Sequence, residues 1–189
     1  MSTLIHIKNM VCPRCIMAVR DLFTQMNYTV EDTQLGWVKV AEDIPQNQFP
    51  EIRRKLENIG FELMEDYQAQ LIEKVKTIIV QRIHHSDLEF YEGKLSNEIA
   101  EKTRKDYHYL SRLFSAKEGI TIEKYIILQK IEKAKELLVY DQETLSEIAY
   151  KLGYSSVSHI SKQFREVTGM TPSEFKKQGP SRNAIDRLR

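Results

Sequence analysis

The chain has 189 residues, 41% hydrophobic and 29% charged, a balance that excludes wholesale disorder. No apolar run is long enough to cross a bilayer, and residues 1–8 lack the basic start and apolar core of a signal peptide, so a cytoplasmic protein is expected. The formal charge of +1 conceals an asymmetry: residues 1–66 hold 7 Lys/Arg against 10 Asp/Glu, residues 67–94 hold 4 against 4, and residues 95–189 hold 17 against 13. An acidic front and a basic back direct any nucleic-acid partner to the back.

From Leu4 to Met64 short extended runs alternate with helical patterns. Ile5 and Ile7, then Val38 and Val40, then Phe61 and Leu63 alternate with polar neighbours; a weaker run spans Tyr28 to Val30. Ile16, Val19, Leu22, Phe23 and Met26 make one helical stripe, and Phe49, Ile52, Leu56 and Ile59 make another, ended by Gly60. Leu35-Gly36 turns the central hairpin. The order βαββαβ predicts a split βαβ, ferredoxin-like α+β domain over residues 1–66.

Only two cysteines occur, Cys12 and Cys15, too close to staple a fold and therefore a local site. They follow the first strand and open the first helix, where the positive end of the helix dipole lowers thiol pKa values and favours metal binding or disulfide attack. A thioredoxin-like oxidoreductase also carries Cys-Pro-x-Cys at a helix start, but that fold needs more chain than is available here.

Residues 67–94 form a helical connector. Ile72, Val75, Ile79 and Ile83 share one face, suited either to a homodimer seam or to packing on a flanking domain.

From Leu95 the pattern is helical and repeats at an offset of fifty. Leu110-Ser111-Arg112-Leu113-Phe114 answers Ile160-Ser161-Lys162-Gln163-Phe164, Gly119-Ile120-Thr121 answers Gly169-Met170-Thr171, and Tyr125 answers Phe175. This predicts an all-α domain of two helix-turn-helix units over residues 95–177, joined by a long helix from Ile122 to Leu138 with Tyr125, Leu128, Ile131, Ala134 and Leu138 inward. In the second unit Thr144 and Glu147 form a capping box, Ala149 and Gly153 carry the close crossing and the turn, and Ser155 or Ser156 caps the next helix. That helix keeps Ile160, Phe164 and Val167 inside and offers Ser156, Val157, Ser158, His159, Lys162 and Arg165. The first unit keeps Leu110, Leu113 and Phe114 inside and offers Asp106, Tyr107, His108, Ser111 and Arg112; Thr103-Arg104-Lys105 stands where a glycine turn is expected. Such helices lie in the major groove of double-stranded DNA, reading base edges and holding phosphates. The tail, residues 178–189, with Gly179-Pro180 and three arginines, is expected to fray.

Through Ile148-Ala149-x-x-x-Gly153-Tyr154-Ser155-Ser156, Phe164-Arg165 and Thr168-Gly169-Met170-Thr171-Pro172-Ser173-Glu174-Phe175, residues 95–177 resemble the DNA-binding domain of the AraC/XylS family of bacterial regulators. The resemblance implies base-reading positions at His108, Ser111 and Arg112 and at Val157, Ser158 and Lys162, and RNA polymerase as a partner. Through Met10-x-Cys12-x-x-Cys15 and Gly60-Phe61, residues 3–65 resemble the heavy-metal-associated domain of copper chaperones, with Asn9 in place of the usual glycine and Pro13 in a loop that is commonly small or polar. That resemblance implies a soft metal such as Cu(I) on Cys12 and Cys15. The chain thus reads as a transcription regulator, not an enzyme, responding to metal or thiol redox state. The alternatives are a regulator whose N-terminal domain only dimerises or binds a protein, and a metallochaperone or storage protein.

Overall fold

A computed structural model describes residues 2–64, 66–85, 94–140 and 142–178. The expected tail, from Gly179 onward, and the end of the connector over residues 86–93 lie outside these. The chain divides into two compact units, Met1–Thr77 and Ile78–Arg189.

The first unit has the order β1 (Thr3–Lys8), α1 (Pro13–Gln25), β2 (Val30–Gln34), β3 (Trp37–Val40), α2 (Phe49–Asn58) and β4 (Glu62–Met64), and its four strands lie in the order β2-β3-β1-β4 with every neighbour antiparallel. One face is apolar because the alternating side chains demand it: Ile5, Ile7, Val38, Val40 and Leu63 join Val19 and Phe23 of α1 and Ile52 and Leu56 of α2 in a single core. Burial of these side chains drives the assembly, at about 1.5 to 3 kcal/mol each. Gly36, at φ 92°, makes the β2–β3 turn where the sequence predicts it.

Two expectations shift. The strand expected at Tyr28–Val30 begins at Val30 and runs on to Gln34. Val-Glu-Asp-Thr-Gln has little apolar alternation because β2 is a sheet edge, and charged side chains there discourage pairing with another chain. Thr29 precedes it, its N–H donating to the Glu42 carboxylate at 2.8 and 3.0 Å. Ile59 is 44% exposed rather than part of the α2 stripe, because the helix ends at Asn58 and left-handed Gly60 turns the chain away.

Helix α3 (Tyr67–His84) carries the boundary between the units, which falls after Thr77. The second unit continues with α4 (Leu95–Thr103), α5 (Tyr107–Glu118), α6 (Ile122–Tyr140), α7 (Leu145–Lys151), α8 (Val157–Thr168) and α9 (Pro172–Gln178). The repeat persists in packing. Phe114 meets Tyr125 at 5.6 Å between ring centroids, and Phe164 meets Phe175 at 5.5 Å, the same two positions fifty residues on. Gly119 and Gly169 close α5 and α8 in the left-handed conformation, at φ 73° and 81°.

The inward lists need correction. Leu110, Phe114, Ile160 and Phe164 are fully buried, whereas Leu113, Leu128 and Val167 are only half-buried. On α6 the interior also takes in Ile122 and three polar residues, Gln129, Glu132 and Lys135, with Lys135 Nζ donating to Glu132 Oε2 at 2.9 Å. The turn of the first helix-turn-helix forms without glycine. Arg104 adopts φ 54°, two residues before the N-cap Asp106, whereas Gly153, at φ 67°, stands three residues before the N-cap Ser156.

A non-glycine residue in this conformation is strained by about 1 to 2 kcal/mol, offset by about 0.5 to 1 kcal/mol because glycine loses more freedom on folding. Nothing but the Lys130 ammonium, at 3.8 Å, stands near a Cβ added to Gly153. We therefore predict that Arg104→Gly raises stability, and Gly153→Ala lowers it, by about 0.5 to 1 kcal/mol each. Thermal unfolding of the full chain checks both signs.

Candidate nucleic-acid interface and cysteine site

Each recognition-type helix starts on a side-chain cap. Asp106 accepts the Tyr109 N–H at 3.0 Å at the start of α5, and Ser156, rather than Ser155, accepts the His159 N–H at 3.1 Å at the start of α8. The helix before α8 has the full capping box: Thr144 accepts the Glu147 N–H at 3.3 Å and donates its own N–H to Glu147 at 2.6 Å. Backbone and hydroxyl hydrogen bonds from Thr144 hold the Glu147 carboxyl below its ordinary range. The sequence reading missed a second such pair, Thr171 with Glu174, which opens α9 in the same way and is legible as T-x-x-E.

On α8, Ser156, Val157, Ser158, His159, Lys162 and Arg165 are all exposed, and the Lys162 side chain retains 77% of its accessible surface with Glu166 4.0 Å away. On α5, His108 and Arg112 are exposed and Ser111 is half-buried. Tyr107 sits differently. It is half-buried, and its hydroxyl donates to Glu123 Oε1 of α6 at 2.9 Å; burial first, and the Glu123 carboxylate second, push its pKa up. Its polar end is thus engaged within the domain.

In the first unit, Cys12 is the N-cap of α1 and Pro13 its first residue. Pro13 suits that place because its fixed φ is helical and it needs no N–H partner. Both thiols are half-buried, with the sulfurs 3.4 Å apart. The expectation of depressed thiol pKa values is not met at Cys15: burial pushes its thiol up, a hydrogen bond with the Val11 backbone opposing. Asn9 fills the usual glycine position by adopting φ 73°, a conformation asparagine tolerates better than most residues. Its N–H donates to Glu73 Oε1 of α3 at 3.2 Å and its side-chain amide to the Gly60 carbonyl at 3.3 Å. Among the described residues no third His, Cys, Asp or Glu gathers with the thiols. Two soft sulfurs of this kind would suit an ion of low coordination number, with Cys12 and Cys15 as the residues that would hold it. His6, in β1, has its pKa lowered by burial and then by Lys74.

At the far end of α3, His84 Nε2 donates to Gln129 Oε1 of α6 at 2.9 Å, and its Nδ1 is buried with no hydrogen-bond partner among the described residues. Burial lowers its pKa from 6.5 to about 4.

Residues 99–178 match the helix-turn-helix domain family. Among curated proteins, an HTH-type transcriptional regulator of Staphylococcus aureus is 28% identical over 95 residues, half of this chain and 13% of its own length. The probable transcriptional regulator LumQ of Photobacterium leiognathi is 36% identical over 63 residues, 33% of this chain and 25% of its own. The chain thus spans a small part of these relatives. The solved structure of ToxT from Vibrio cholerae superposes with a TM-score of 0.53 at 16% identity, covering 90% of this chain and 69% of that one, a likeness of fold. No helix among the described residues is long and apolar enough to cross a membrane.

The His84 shift sets a pH signature. Between pH 6.5 and about 4 the unfolded chain binds the proton that folded His84 resists, so stability falls as pH drops through this window and is unaffected above it. We predict a loss of up to about 3 kcal/mol at the acid end, absent in His84→Gln. Denaturant titrations of both proteins between pH 7 and 4 measure it.

Proposed function

We propose that the chain is a sequence-specific transcription regulator of the AraC/XylS type that grips double-stranded DNA with both helix-turn-helix units. The carrying observation is the repeat of one geometry: α5 and α8 begin fifty residues apart, each on a side-chain cap, each burying a Leu/Ile and Phe pair and exposing polar and basic residues. Helix α6, of 19 residues and so about 28 Å long, lies between the units. That length suits two helices one duplex turn, about 34 Å, apart. His108, Ser111 and Arg112 on α5 and Ser156, Val157, Ser158, His159, Lys162 and Arg165 on α8 are the proposed contacts; Tyr107 serves by its ring edge, since its hydroxyl is committed to Glu123. The relatives' names as transcriptional regulators support this reading, and RNA polymerase is the further partner it implies.

We assign residues 1–66 to a ferredoxin-like domain, supported by the sheet order β2-β3-β1-β4 and the βαββαβ succession. We assign residues 67–94 to the connector and residues 95–177 to DNA binding. The thiol separation of 3.4 Å favours a signal received at Cys12 and Cys15, as Cu(I) or as a change of redox state. Cys12 supplies a sulfur from the N-cap and Cys15 one from the first turn of α1, and a bound ion contributes its preference for thiolates. Within the first unit Asn9 bonds to Glu73, and within the second His84 bonds to Gln129.

Two measurements test these readings. Against a duplex recovered from a random pool, Lys162→Ala and Arg112→Ala should each weaken binding by about 1 to 3 kcal/mol if they read bases, or lower the salt slope if they hold phosphate; unchanged affinity and slope in both variants removes these helices from the interface. In anaerobic titration against a colorimetric chelator, the reduced protein should bind one Cu(I) per chain, and Cys12→Ser/Cys15→Ser should lose it while keeping its helical content. DNA affinity should differ between apo and loaded forms by about 1 to 3 kcal/mol. Binding without such coupling identifies a buffer or chaperone, and equal uptake by the double variant leaves the first unit as a dimerising or protein-binding module.

A further inference from the structure

At the start of α8 four side chains converge in a way that the first helix-turn-helix does not reproduce. Lys130, midway along α6, sets its ammonium 5.2 Å from the centroid of the Tyr154 ring, over the face that attracts a cation. Tyr154, in the turn after Gly153, stands edge-on to His159, with centroids 5.2 Å apart and planes at 90°. Ser155 Oγ lies 3.2 Å from His159 Nδ1. The Tyr154 hydroxyl is buried and has no hydrogen-bond partner among the described residues, a cost that only the placement of its ring can offset. In the first unit, Arg104-Lys105 fills the shorter turn and Tyr109 stands where α8 has His159.

An exposed imidazole on a recognition helix ordinarily samples several rotamers. Here Tyr154 stands against one edge of the ring and Ser155 bonds one nitrogen, two contacts that favour a single rotamer. Resting on the DNA-reading role of α8, we propose that Lys130 and Tyr154 are positioning residues that hold the His159 ring so that Nε2 donates a hydrogen bond to one base edge in the major groove. With Nδ1 accepting from the Ser155 hydroxyl, the neutral ring carries its proton on Nε2; the imidazolium carries one there as well, so both forms present a donor. A donor seeks N7 or O6, and guanine offers both acceptors side by side. The second helix-turn-helix thereby gains a preference for guanine at the base pair that His159 faces.

The test uses the full chain and a duplex selected by it from a random pool, followed by binding to every single-base substitution of that duplex. The wild type should prefer guanine at one position of the α8 half-site by about fivefold or more, and His159→Ala should abolish that preference while leaving the other positions intact. Tyr154→Leu and Lys130→Met should shrink the same preference to below about twofold with the salt slope unchanged, and Tyr154→Phe, which keeps the ring, should retain it. Uniform loss at all positions in Tyr154→Leu and Lys130→Met, or an unaltered profile in His159→Ala, overturns the positioning role. A wild type that recovers no sequence from the pool overturns instead the reading of α8 as a DNA-reading helix, and with it this inference.

Discussion

The second unit depends on one helix. Helices α5, α7, α8 and α9 all pack against α6, so whatever fixes α6 fixes the relation of α5 to α8. Its interior holds an ion pair, Glu132 with Lys135, almost wholly buried, with the Lys135 ammonium 6.0 Å from the centroid of the Phe175 ring of α9. A buried pair adds little net stability over apolar residues of the same size, and because both partners lie on α6 itself, the cost of about 3 to 5 kcal/mol for leaving one unpaired arises when either is replaced. The equivalent aromatic pairs at Phe114–Tyr125 and Phe164–Phe175 then pin each recognition helix: the first to α6 itself, the second to α9.

In the first unit the corresponding constraint is the apolar face of the sheet. Because β1 is central, its Ile5 and Ile7 are buried under α1 and α2, and the chain leaving β1 must turn sharply to start α1. Asn9 makes that turn in the left-handed conformation, which leaves Cys12 at the helix N-cap and buries Met10. The thiols are thus placed by a strand-to-helix turn that also bonds to α3 through Glu73.

Much of this was legible in the sequence because apolar periodicity reports burial directly. Ile5, Ile7, Val38 and Val40 name the sheet's inner face, and the fifty-residue repeat from Leu110 to Phe175 names the helical units without any structural input. Less legible were positions where two requirements compete. Val30–Gln34 carries the polar sequence of an edge strand and so lacks the alternation that marks a strand. Gln129, Glu132 and Lys135 look like a solvated helix face, and only their mutual contacts and the packing of α7, α8 and α9 reveal them as interior. Arg104 and Asn9 occupy left-handed turns that sequence assigns to glycine, because the surrounding helices dictate the turn and the residue tolerates the strain. At the proposed interface, residue types and spacing pointed to α5 and α8, but the Tyr107 bond to Glu123 and the Lys130 ammonium over the Tyr154 ring depend on partners from α6 that the local pattern does not name.

The central claim is that α6 presents α5 and α8 together, so that one molecule engages two successive turns of one duplex. Hydroxyl-radical footprinting of the full chain on a selected duplex measures this most directly. Two protected patches on one face of the duplex, centred about 10 base pairs apart, are the predicted result. A single protected patch that stays single when Arg112 is replaced by Ala and disappears when Lys162 is replaced by Ala would contradict it, since α8 alone would then carry the contact.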